Sequence, residues 1–165
     1  MTPILFLDVD GVLRPHKPSG YESGIRIGCC VNLAEVIRAT HCRIVLSSAW
    51  RYSGWGRHSL FSQCLRGSPC WVSDDDAITV ATTPIAETII ASIIGATRLD
   101  KSPTEDRHVA ILEWVAEHTP TRWVAVDDLD CIADCGEGHY LRTDGKVGLT
   151  YEDADKLVEM LGAWK

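Results

Sequence analysis

The stretch Ile4-Leu5-Phe6-Leu7-Asp8-Val9-Asp10-Gly11-Val12-Leu13 decides how this chain is read. Four consecutive apolar residues end abruptly at two aspartates one residue apart. A short unbroken apolar run, bounded by polar residues and glycine, is the pattern of a strand buried on both faces of a parallel sheet. Past the strand end the backbone can curl so that both carboxylates face one pocket, and Gly11 permits such a turn.

Two later stretches repeat the design. Ile44 to Leu46 runs into Ser47-Ser48, and Trp123 to Val126 runs into Asp127-Asp128. Helical patterns separate the runs. Val31 to Thr40 carries apolar residues at helical spacing. Pro84 to Ile94 has proline in its first turn and Gly95 just past its end. Thr104 to His118 places Ile111, Leu112 and Val115 on one face, with Pro120 beyond. His139 to Arg142 reads as a further strand. Thr150 to Leu161 reads as a closing helix, with Thr150 and Asp153 spaced as a capping box. Residues 14–28 read as loop or hairpin. In the stretch 50–82 the pattern gives a helix near 58–66 and a short strand near 70–73, with Asp74-Asp75-Asp76 as a solvated turn. Strands alternating with helices predict an α/β fold with a doubly wound parallel sheet, formed by residues 1–165 as one domain.

Composition narrows the function classes. The 165 residues are 45% apolar and 24% charged, which suits an ordinary globular domain with a sizeable core. The net charge of −7 argues against a broadly basic nucleic-acid surface. A local basic patch around Arg51, Arg57, His58 and Arg66 remains compatible with it. Seven cysteines without any C-x-x-C spacing give no zinc signature. No signal peptide and no apolar run of membrane-spanning length is present, so a cytoplasmic protein without membrane association is expected.

In doubly wound sheets, ligands bind beyond the carboxyl ends of the strands. Asp8, Asp10, Ser47, Ser48, Asp127 and Asp128 would therefore meet on one rim. Four carboxylates in one cleft repel one another unless a cation joins them. An oxygen-only ligand set without His or Cys favours a hard ion, Mg²⁺ above all. Magnesium commonly binds one or two carboxylates together with a substrate phosphate, which points to phosphoryl chemistry.

These residues carry a resemblance. Asp8-Val9-Asp10-Gly11-Val12-Leu13 after Ile-Leu-Phe-Leu resembles the first motif of the haloacid dehalogenase (HAD) superfamily. Ser47/Ser48 resembles the second motif, Arg107 the third and Asp127-Asp128 the fourth, and they occur in the family's order. Lys101 competes for the third motif, but Arg107 opens an amphipathic helix and is the better match. Ser-Ser-Ala-Trp-Arg (47–51) is further similar to the capless HAD domains associated with RNA-repair and phage proteins.

The resemblance implies a Rossmann-like HAD core and a magnesium-dependent phosphatase. By that likeness Asp8 is the nucleophile that forms an aspartyl-phosphate, and Asp10 is the general acid and base. Ser47 or Ser48 would bind a phosphoryl oxygen, and Arg107 would balance charge. The metal would be held by Asp8, Asp127, Asp128 and the backbone carbonyl of Asp10. Members that break carbon–halogen bonds lack the second aspartate, so Asp10 favours phosphatase over dehalogenase.

Neither the interval between the first two motifs nor that between the second and third fits a large cap, so a minimal or absent cap is expected. An open site suits a bulky phosphorylated substrate, a nucleic-acid phosphate end, or else a nucleotide or other small phosphomonoester. Trp50 and Arg51 are read either as stacking groups for a base or sugar, or as core and surface residues. The competing function is a receiver-like module that binds metal or accepts phosphate without fast turnover. Receiver domains lack an acid/base two residues after the phosphoacceptor and carry that residue on a middle strand of the chain rather than the first.

Overall fold

The computed structural model describes residues 2–17, 24–53, 62, 65, 84–98 and 106–162. Five strands form one sheet: β1 (Ile4–Leu7), β2 (Arg43–Leu46), β3 (Ile93–Ala96), β4 (Trp123–Asp127) and β5 (Tyr140–Arg142). Their spatial order is β3-β2-β1-β4-β5, and every pairing is parallel. β1 is therefore central, with β2 and β4 as its neighbours. This explains its unbroken apolar sequence, since all four of its residues are buried.

Among the described residues, α1 (Ile27–Thr40), α2 (Pro84–Ser92) and α3 (Arg107–His118) lie between strands, and α4 (Tyr151–Leu161) follows the last one. The strand alternation divides their work. Leu5, Leu7, Ile44, Leu46, Val124 and Val126 face α1, α2 and α4 in one apolar cluster. Phe6, Val45 and Ala125 point the other way, onto Ile111 of α3, with Trp114 and Trp123 edge-on to the Phe6 ring. Helices thus cover both sides of the sheet, and the fold is the doubly wound α/β architecture expected.

Several boundaries differ from the sequence expectation. α1 begins at Ile27, four residues earlier than the pattern from Val31 suggested, because Cys29 and Cys30 are buried on the same side as Leu33. The pattern over Pro84 to Ile94 is not one helix. It stops at Ser92, and Ile93 to Ala96 pairs with β2, so Gly95 lies inside a strand rather than past a helix end. β4 extends through Asp127 and β5 starts at Tyr140. The final helix has the foreseen capping box: Asp153 N donates to Thr150 Oγ1 at 3.1 Å, and Thr150 N donates to Asp153 Oδ2 at 3.3 Å.

Of the helix read near 58–66, only Ser62 and Leu65 are described, both helical and buried. The strand read near 70–73 and the turn at Asp74-Asp75-Asp76 lie outside the described residues. So do Lys101, Arg57, His58 and Arg66. Among the described residues, a compact turn and α1 fill the interval between the first two motifs. No described helix is long and apolar enough to cross a membrane.

Candidate active site

The ladder runs one residue past β1 on both sides. Asp8 N donates to Val126 O at 3.1 Å, and Ser47 N donates to Leu7 O at 3.0 Å. Leu7 is level with Leu46 and Val126. The next level up is therefore Asp8, Ser47 and Asp127, side by side at the carboxyl ends of three adjacent strands. By the strand alternation Asp8 and Asp127 belong to the face of Phe6 and Ala125, the face that α3 covers.

Arg107 is the first residue of α3 and reaches up to that level. Its Nη1 lies 2.7 Å from Asp8 Oδ2 and also hydrogen-bonds Asp127 Oδ2. Asp8, Arg107 and Asp127 are all buried, at 2%, 4% and 0% exposure. A buried charge must be paired to persist, and this cation serves two anions. Among the described residues Arg107 pairs with both strand-end carboxylates.

Burial sets the electrostatics. It pushes the Asp8 carboxyl up from 3.8 to about 7, and the neighbouring Asp127 adds to the rise, while Arg107 and the nearby Ser48 hydroxyl oppose it. Asp127 is raised as well, by burial first, against the pull of Arg107 and the Leu129 backbone N–H. For Arg107 burial works to lower the pKa, but the two carboxylates outweigh it and hold the guanidinium protonated.

One oxygen each from Asp8, Asp127 and Asp128 lie within 4.8 Å of one another. Asp8 Oδ1 is buried without a hydrogen-bond partner, and so is Ser47 Oγ. An orphaned carboxylate oxygen beside two further carboxylates, with no nitrogen or sulfur donor among them, fits a hard divalent cation. Gly11 makes the close approach possible. It has φ +76°, and a Cβ there would sit 2.2 Å from Asp128 Cγ. Thr143 Oγ1 donates to Gly11 O at 3.0 Å and ties this loop to the end of β5.

The Asp10 side chain lies outside the three-carboxylate cluster. Trp50 Nε1 donates to its Oδ2 at 2.9 Å and Arg14 Nη1 to its Oδ1 at 2.8 Å. Sequence reasoning missed Arg14, whose only signal was its spacing four residues after Asp10. It also missed His16, whose Nε2 is 3.0 Å from Asp128 Oδ2. Arg51 is not a stacking group at the surface. It is 2% exposed, and its Nη1 donates to the carbonyls of Ser47 and Ser48 at 2.9 Å each, clamping the turn after β2. Its Nε donates to Arg98 O at 3.2 Å. Trp50 is half-buried against the apolar cluster.

A parallel doubly wound sheet, whose first strand delivers a buried aspartate into an acidic cluster on the neighbouring strand end, is the arrangement a HAD-type domain requires. Residues 4–66 and 68–154 match the family model described as the HAD domain in Swiss Army Knife RNA repair proteins, and the chain belongs to that family. No curated protein and no solved structure matches it.

Proposed function

We propose that this protein is a magnesium-dependent phosphomonoesterase that works through an aspartyl-phosphate on Asp8. The observation that carries this reading is the buried Asp8 carboxylate. Arg107 pairs one oxygen, and the other has no partner although Asp127 and Asp128 stand beside it. Asp8, Asp127, Asp128 and the Asp10 carbonyl would hold Mg²⁺, which when bound would neutralise the clustered anions and draw charge from the phosphoryl group.

In the first step an Asp8 oxygen attacks phosphorus as the bond to the leaving oxygen breaks, and Asp10 gives that oxygen its proton. In the second, Asp10 takes a proton from water, which attacks the same phosphorus and releases Asp8. Ser47 Oγ, buried and unpartnered, is the donor for a phosphoryl oxygen, while Ser48 stays beside Asp8. Arg107 holds Asp8 oriented and balances charge as the phosphoryl group arrives.

The substrate class we assign is a phosphorylated nucleic-acid end, ahead of a free nucleotide. Two observations support it. The family description names RNA repair proteins. An open depression of about 570 Å³ is also lined by Asp128 and Asp144 together with His16, Arg142 and Lys146, and its basic side chains next to a phosphoryl site suit a further phosphate.

The test is hydrolysis of p-nitrophenyl phosphate with Mg²⁺, followed by 3′- and 5′-phosphorylated oligonucleotides beside free nucleotides. Wild-type turnover should vanish in EDTA, return with Mg²⁺, and fall by at least about 10³-fold in Asp8→Asn. Wild-type protein inert toward every ester and metal would favour the receiver-like module. Normal activity in Asp8→Asn would remove the mechanism.

A further inference from the structure

We propose that Trp50 and Arg14 are positioning residues that aim the Asp10 carboxyl at the leaving oxygen; this rests on the phosphatase reading above. Asp10 lies past the end of β1, outside the sheet, where its backbone forms an isolated bridge with Arg14. Two donors constrain its side chain. The Trp50 indole N–H holds Oδ2 at 2.9 Å, and the Arg14 guanidinium holds Oδ1 at 2.8 Å.

Each donor is itself anchored. The Trp50 ring packs on the apolar cluster, and its backbone N donates to Ser48 Oγ at 3.3 Å. Arg14 is buried, its carbonyl accepts from Gly11 N at 2.8 Å, and its guanidinium carbon lies 5.6 Å from the centre of the Trp50 ring. The two donors thus brace each other from neighbouring strand ends on the same rim, one following β1 and one following β2.

A carboxyl group offers about four lone-pair sites, so two donors leave two. The Asp10 side chain keeps 35% of its surface exposed, whereas Arg14 keeps 9%. The exposed part is what remains to pass a proton to the leaving oxygen. Proton transfer in the transition state needs hydrogen-bond reach and alignment, and a displacement of order 1 Å costs up to about 10²-fold.

Leaving-group dependence separates this role from a general structural one. An alkyl phosphate needs a proton on its departing oxygen, whereas 2,4-dinitrophenyl phosphate departs as a stable anion. The readout is kcat/KM, which reports only the steps through formation of the aspartyl-phosphate on Asp8. Asp10→Asn sets the full size of the effect. Trp50→Phe keeps the ring and deletes the donor. It should lower kcat/KM about 10-fold on the alkyl ester and under about twofold on the dinitrophenyl ester.

Arg14→Gln should show the same selective loss and Arg14→Lys a partial recovery, which keeps the test available should the tryptophan variant not fold. Equal losses on both esters, or no loss on either, would overturn the positioning role alone. Wild-type protein that hydrolyses neither ester overturns the phosphatase reading and this role with it.

Discussion

On one face of the sheet, Leu5, Leu7, Ile44, Leu46 and Val126 meet α1, α2 and α4 in an apolar cluster. On the other, Phe6, Val45 and Ala125 meet α3 only until Arg107 turns its guanidinium toward Asp8 and Asp127. The same two-residue alternation writes both faces. Its next step beyond the strand ends places carboxylates on the face where Arg107 waits. The first face supplies stability through burial. The second ends in a cluster whose like charges are held together against their own repulsion, the kind of local cost that functional sites retain.

Removing the cation should break this contrast most severely. Arg107→Met leaves Asp8 and Asp127 buried without a counter-ion and should cost about 4 kcal/mol at pH 8 in EDTA, as uncompensated buried charges do. Urea unfolding measures it, and a loss below about 1 kcal/mol would mean that the pair is not held as described. Next in size is the apolar face. Leu7→Ala should cost about 3 kcal/mol from lost burial and the cavity left behind, with no change between pH 5 and 8. A strong pH dependence there would show that the two faces are not independent.

The smallest effect has the opposite sign. Asp8 titrates at 3.8 in its ordinary state and at about 7 in the fold. The fold therefore favours its protonated form, and the stability from this group is complete below pH 3.8 and lost as pH rises through 7. Asp8→Asn removes that loss. An asparagine NH₂ facing the Arg107 donors offsets part of the gain, leaving the metal-free variant about 1–2 kcal/mol more stable than wild type at pH 8 and equal to it near pH 4. Thermal melts in EDTA across that range decide it. A variant less stable than wild type at pH 8 would mean that the Asp8–Arg107 attraction exceeds the cost of burying the charge.

Much of this was legible in the sequence because chemistry and burial leave different marks. β1 and β4 are unbroken apolar runs ending in acid, so Asp8 and Asp127 were readable from where those runs stop, the Ser47-Ser48 pair from the end of β2, and Arg107 from the start of an amphipathic helix. β3 was not. Ile89-Ile90 and Ile93-Ile94 continue one apolar pattern across the junction of α2 with β3, no turn residue divides them, and periodicity cannot separate a helix from a strand that follows it directly. The supports of the site were equally hidden. Arg51 looked like a surface cation, yet its charge is spent on backbone carbonyls that only the folded turn brings together. Trp50 and Asp10 lie 40 positions apart, and nothing in either residue type announces that an indole N–H will meet that carboxylate.

The central claim is that Asp8 accepts the phosphoryl group. Acid-quenched turnover mixtures, reduced with borohydride and read by peptide mass spectrometry, test it directly, because reduction of an aspartyl-phosphate leaves homoserine. Homoserine at position 8, formed only when substrate and Mg²⁺ are both present, is the expected result. An unchanged Asp8 during active turnover, or a modified residue elsewhere, would contradict the account.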